Sequence, residues 1–217
     1  VGLISALAAQ AHEPITTKLT WTQEISRIIY KRCASCHHEG GTAFSLVTYD
    51  EARPWAKAIR DEVLERRVPP WGAVDGIRAY RNDPSLTPIE VEMIVGWVEG
   101  GAPEGEAIYL PPAPVLRDAT PAPLPTSTLL VESAKPRVLN HATTAVAVTP
   151  RDLPDGTSME VTAYKPDGSV EHLIWLRNYR KAWTRTYWFR DPIPLPAGTR
   201  IVVDAPAGSA VLSTSPS

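Results

Sequence analysis

The chain has 217 residues, with 22 Lys and Arg against 24 Asp and Glu, giving a formal net charge of -2. Such a length suits two small domains better than one large one, and the balance of charge excludes the basic footprint of a nucleic-acid-binding protein. With 22 prolines the chain is loop-rich, yet its apolar content is that of a globular protein.

It opens with an apolar run, Val1-Gly2-Leu3-Ile4-Ser5-Ala6-Leu7-Ala8, followed by Ala9-Gln10-Ala11 before His12. This reads as the end of a secretory apolar region with a small-x-small cleavage site, so residues 1–14 are expected to be the end of a signal peptide or an N-terminal anchor. The run is far shorter than the ~20 residues a spanning helix needs. The expected location is periplasmic or otherwise extracytoplasmic, with membrane association possible through this segment alone.

Three helices are expected next. Over residues 22–32, Ile25, Ile28 and Ile29 share one helical face. Thr48 with Glu51 signals a capping box for a second helix, carrying Trp55, Ile59 and Val63 on one side as far as Arg67, where Pro69-Pro70 stops it. Thr87, Pro88 and Glu90 open a third, with Val91, Ile94, Val95 and Val98 as its apolar stripe and Gly100-Gly101 as its end.

The first helix runs into Cys33-Ala34-Ser35-Cys36-His37, which contains the only two cysteines of the chain. Two thiols three positions apart followed by an imidazole are what covalent haem c attachment needs: the cysteines add to the two vinyl groups, and the histidine becomes the proximal iron ligand. A thioredoxin-like dithiol needs only the Cys-x-x-Cys and expects a βαβ context, and a zinc site would have to recruit distant ligands. The cofactor expected is therefore one covalent haem c, held by Cys33 and Cys36 with His37 on the iron.

The run Arg32 to His37, then Gly40-Gly41, Leu46, Tyr49, Ala52-Arg53-Pro54-Trp55, Ile59, Arg67, Pro69-Pro70-Trp71, Asn82-Asp83, Leu86-Thr87, Trp97 and Gly100-Gly101-Ala102-Pro103 resembles a bacterial monohaem cytochrome c family. That resemblance implies an all-α, class I-like cytochrome c domain over residues 15–110. It also implies a methionine before Pro-Pro-Trp as sixth iron ligand, but this chain has Val68, which cannot bind iron. Val68, Pro69 and Trp71 are then expected to wall the distal pocket. Met93 is the alternative sixth ligand, although its place beside the apolar stripe of the third helix also fits a packing residue.

Residues 111–126 contain Pro-Pro-Ala-Pro and Pro-Ala-Pro-Leu-Pro, a stiff extended linker. Beyond it the pattern becomes strand-like, with runs at residues 129–132, 145–149, 159–164, 173–176, 183–189 and 201–204, punctuated by Pro154-Asp155-Gly156, Pro166-Asp167-Gly168 and Pro196-Ala197-Gly198. Residues 127–217 are expected to form an antiparallel, jelly-roll-like β-sandwich. Pro166-Asp167-Gly168, Trp183, Tyr187, Pro192 and Leu195-Pro196-Ala197-Gly198-Thr199 resemble the C-terminal domain of copper type II, ascorbate-dependent monooxygenases. Where copper-binding relatives carry His-x-His after a proline, this chain reads Pro150-Arg151-Asp152-Leu153, so copper is not expected.

These readings imply an exported monohaem cytochrome working in electron transfer, docked through its sandwich to a redox partner or a membrane-associated complex. No catalytic residues are expected. Two alternatives stay open: a haem-fed copper monooxygenase, and a gas-binding sensor with an open distal face opposite His37.

Overall fold

The computed structural model describes residues 18–115 and 127–215. The expected signal segment, with His12, and most of the proline-rich linker lie outside the described residues. The chain divides into two compact units that are not consecutive blocks: one takes residues up to 69 and from 86 to the linker, the other residues 70–85 and everything after the linker.

The first unit is assembled from short helices. Thr20 caps a π-turn at Trp21–Ile25, which passes into α1 (Ser26–Arg32). The single expected helix after Thr48 is split into α2 (Tyr49–Ala52), a 3-10 turn at Arg53–Trp55 containing Pro54, and α3 (Ala56–Leu64). The capping box is present, but Pro54 has no N–H to carry an α-helical ladder onward. The fourth helix, α4 (Pro88–Glu99), starts on the Thr87–Glu90 box and is the longest at 12 residues. Trp21, Ile25, Ile29, Ile94 and Trp97 are the heart of this unit's core.

Among its described residues the second unit holds eight strands in two antiparallel sheets: β1 (Ser127–Glu132), β2 (Arg137–Val138), β3 (Thr143–Arg151), β4 (Met159–Tyr164), β5 (Val170–Leu176), β6 (Tyr187–Leu195), β7 (Arg200–Asp204) and β8 (Ser209–Ser215). The sheets are ordered β1-β8-β3-β6 and β2-β7-β4-β5. Strands β1 with β8, β2 with β7, β3 with β6 and β4 with β5 all pair antiparallel, the nested pairing of a long hairpin rolled on itself into a jelly roll. Alternating residues such as Ala145, Val148, Val161, Ile174, Val203 and Leu212 meet in one core between the sheets.

The expectation of an all-α, class I-like cytochrome c domain over residues 15–110 is overturned. The protein is built mainly of two antiparallel sheets, its helices are short, and residues 70–85 leave the helical unit to join the sandwich. The physical reason lies in the aromatic residues of that segment. Trp71 and Tyr80 are 8% and 2% exposed, and their rings stand 4.7 and 5.6 Å from Tyr187. The Tyr80 hydroxyl donates to the Leu173 carbonyl at 3.0 Å. The backbone follows: Val74 N–H donates to Trp175 O at 2.8 Å along the free side of β5, and Arg81 N–H donates to Trp188 O at 2.8 Å along β6. Both are edge strands, so this one segment covers a row of unpaired backbone groups on each sheet.

Candidate functional site

Cys33 caps the C-terminal end of α1, its N–H donating to Ile29 O at 2.8 Å. That helix end is fixed from outside. Arg32 places Nε 3.1 Å from both carboxylate oxygens of Glu90, the residue that closes the capping box of α4. The next turn is tight: Cys36 and His37 both donate their N–H to Cys33 O, at 3.0 and 2.9 Å.

Residues 38–46 then fold back on the motif. Ala43 N–H donates to Cys36 O at 3.0 Å and Leu46 N–H to His37 O at 3.2 Å. Gly41 is required for this approach, because a Cβ there would stand 2.5 Å from Cys36 O. The loop delivers the Phe44 carbonyl to His37 Nδ1 at 2.9 Å. A carbonyl only accepts, so Nδ1 carries the proton and Nε2 keeps its lone pair for a ligand.

The two thiols differ. Cys33 is buried, and burial, with Cys36 beside it, pushes its thiol up to about 12, so it is held as the neutral S–H. Cys36 is exposed. Beside them stand two rings that sequence reasoning did not place at the site. Phe44 packs edge-on against His37 at 5.1 Å and lies 4.6 Å from Trp55, and the pair is 51% and 47% exposed. Trp55 was expected on the buried side of its helix, but the 3-10 turn at Pro54 rotates it outward. No local signal marks the pair, since it arises only when the loop closes.

These residues fit haem c. There are two reduced thiols, an imidazole fixed with Nε2 as the free donor, and an exposed aromatic surface next to the imidazole of the kind a flat apolar macrocycle covers.

The remaining candidates are scattered. Val68 and Pro69 are half-buried in the helical unit, whereas Trp71 is in the core of the sandwich. Met93 is partly buried and packed against the helical core. His38 binds the Glu39 carbonyl through Nδ1 at 2.8 Å, His141 is exposed, and His172 pairs with Glu160 at 2.6 Å on the sandwich. After Pro150, Arg151 is the exposed last residue of β3 and Leu153 is 1% exposed in the core, and neither is an imidazole. No helix of the described residues is long and apolar enough to cross a membrane.

No known protein family matches the chain, and no curated protein matches it.

Proposed function

We propose that the protein is an exported electron-transfer protein carrying one covalently attached haem c on its helical unit and docking to a redox partner or membrane-associated complex through its sandwich. The observation that carries the reading is the fixed imidazole. His37 follows Cys-x-x-Cys directly, and its Nδ1–H is engaged by Phe44 O at 2.9 Å.

Cys33 and Cys36 would hold the haem as thioethers, each S–H adding across one vinyl group with sulfur on one carbon and the proton on the other, so attachment would need no oxidant or reductant. Cys33, seated at the end of α1, and Cys36, on the surface of the turn, would tether the group covalently, so that its retention would not rely on affinity. His37 would hold the iron through Nε2, and the Phe44 carbonyl, by accepting from Nδ1, raises the basicity of that nitrogen. Phe44 and Trp55 offer exposed aromatic surface beside His37 that a bound haem would cover. When bound, the haem supplies reversible one-electron chemistry at its iron.

The test is the electronic spectrum of protein made in a host with working cytochrome c maturation. Wild-type protein shows the α-band of a haem joined through two thioethers, and the Cys33→Ala, Cys36→Ala double variant has no covalent haem. A wild-type chain with no haem absorption contradicts the reading.

A further inference from the structure

The sandwich has a cleft of about 720 Å³ at the end of β3, lined by Thr128, Thr149, Arg151, Tyr179, Lys181, Thr184 and Ser213 among others. Arg151 and Asp152 also line an adjoining depression with Ser133, Lys135 and Ser209, so Arg151 stands between the two. The volume is that of a site for a small metabolite.

Its chemistry is specific. Residues 177–190 contain Arg177, Arg180, Lys181, Arg185 and Arg190 and no acidic residue, in a chain whose net charge is -2. Three of these cations already face rings: Arg177 over Trp175 at 5.6 Å, Arg180 over Trp183 at 5.2 Å and Arg185 over Trp71 at 5.7 Å. Lys181 and Arg151 make no ion pair with any described residue, and both line the cleft. Lys181 sits on a prepared turn: its N–H donates to the Asp155 carboxylate at 2.5 Å, and its carbonyl accepts from the Thr184 hydroxyl at 2.7 Å. That hydroxyl also meets Tyr179 OH, and Thr149 meets Thr186 at 2.8 Å, so the polar wall is ordered without a ligand. Asp152 also lines the cleft, one carboxylate against these two cations.

We propose that this cleft binds a small, hydroxyl-bearing oxyanion, a sugar phosphate or a sugar acid, with Arg151 and Lys181 on the anionic group and the threonine, tyrosine and serine hydroxyls on the rest. The proposal is independent of haem. It concerns a second site, on the other unit.

Calorimetric titration of the full chain at physiological salt tests it, with glucose 6-phosphate, gluconate and inorganic phosphate as probes. The expected result is saturable binding of glucose 6-phosphate or gluconate, weakened at least tenfold by Arg151→Gln and by Lys181→Gln and unchanged by Arg137→Gln, which removes an exposed cation outside the cleft. A stronger response to glucose 6-phosphate assigns the phosphate ester, and a stronger one to gluconate the sugar acid. Saturable binding of inorganic phosphate alone contradicts the hydroxyl-bearing ligand. Absence of saturable binding for every probe, or equal weakening by Arg137→Gln, overturns the proposal. Both cleft cations are exposed, and unchanged melting curves confirm that their variants fold.

Discussion

His37 Nδ1 lies 2.9 Å from the Phe44 carbonyl oxygen, seven residues along the chain, and this contact exists only because Gly41 lets the intervening loop close on Cys36 O. Gly41→Ala puts a methyl group 2.5 Å from that oxygen, against backbone that has little room to yield. The expected cost is about 1–3 kcal/mol of stability in the helical unit. Denaturant melts of wild type and variant measure it, and the yield of covalently loaded protein falls with it. An unchanged midpoint would mean that the loop is not held as described.

Glu90 gives the stability of this unit a pH dependence of definite sign. Burial opposes its charge but is outweighed by the Thr87 N–H, the hydrogen bond and charge of Arg32 and the charge of Lys31, so its pKa lies below the ordinary 4.5. Folding therefore favours the ionised form. The contribution is complete above pH 4.5 and disappears as the pH falls through the lowered folded value. Glu90→Gln keeps the capping box and removes the charge, at a cost of about 1–2 kcal/mol near neutral pH. Melts across roughly pH 3 to 7, the span over which a carboxylate titrates, should converge for the two proteins at the acid end. A gap that persists there contradicts the assignment.

Residues 70–85 should behave as part of the sandwich. Tyr80→Phe leaves the buried Leu173 carbonyl without its partner and costs about 1–2 kcal/mol. Trp71→Ala removes a ring packed on Tyr187 and Tyr80 and costs about 3–5 kcal/mol. In hydrogen exchange, the amides of Val74 and Arg81 should be protected together with β5 and β6. Fast exchange at both would detach the segment from the sheet edges.

What could be read from the sequence was what is local. The two capping boxes, the apolar face of Ile25, Ile28 and Ile29, and strand β4 at Met159–Tyr164 depend on near neighbours, and all are present. Strand β8, central in its sheet, was hidden because Ser209, Ser213 and Thr214 look like a polar tail. They are buried by β1 and β3 on either side. Likewise Trp71 next to two prolines gives no hint that its partners are Tyr80 and Tyr187. The Cys-x-x-Cys-His motif was legible at once, whereas the Phe44–Trp55 pair beside it depends on a loop closure and a proline-turned helix.

Val68 makes a prediction about the sixth iron position. It is a half-buried valine, whose side chain has no donor atom for iron. On the haem reading, the ferrous protein binds carbon monoxide readily, and Val68→Met yields a low-spin species that resists it. Difference spectra before and after carbon monoxide decide the matter. An unchanged wild-type spectrum would assign the sixth position to an internal ligand, with Met93→Leu the first variant to examine.

The central claim is covalent haem at Cys33 and Cys36, and intact mass under denaturing conditions tests it most directly. Protein produced with a working maturation system should weigh one haem more than its polypeptide, keep that mass after acid-acetone extraction, and lose it in the Cys33→Ala, Cys36→Ala double variant. A wild-type chain that runs at the mass of the bare polypeptide contradicts the account.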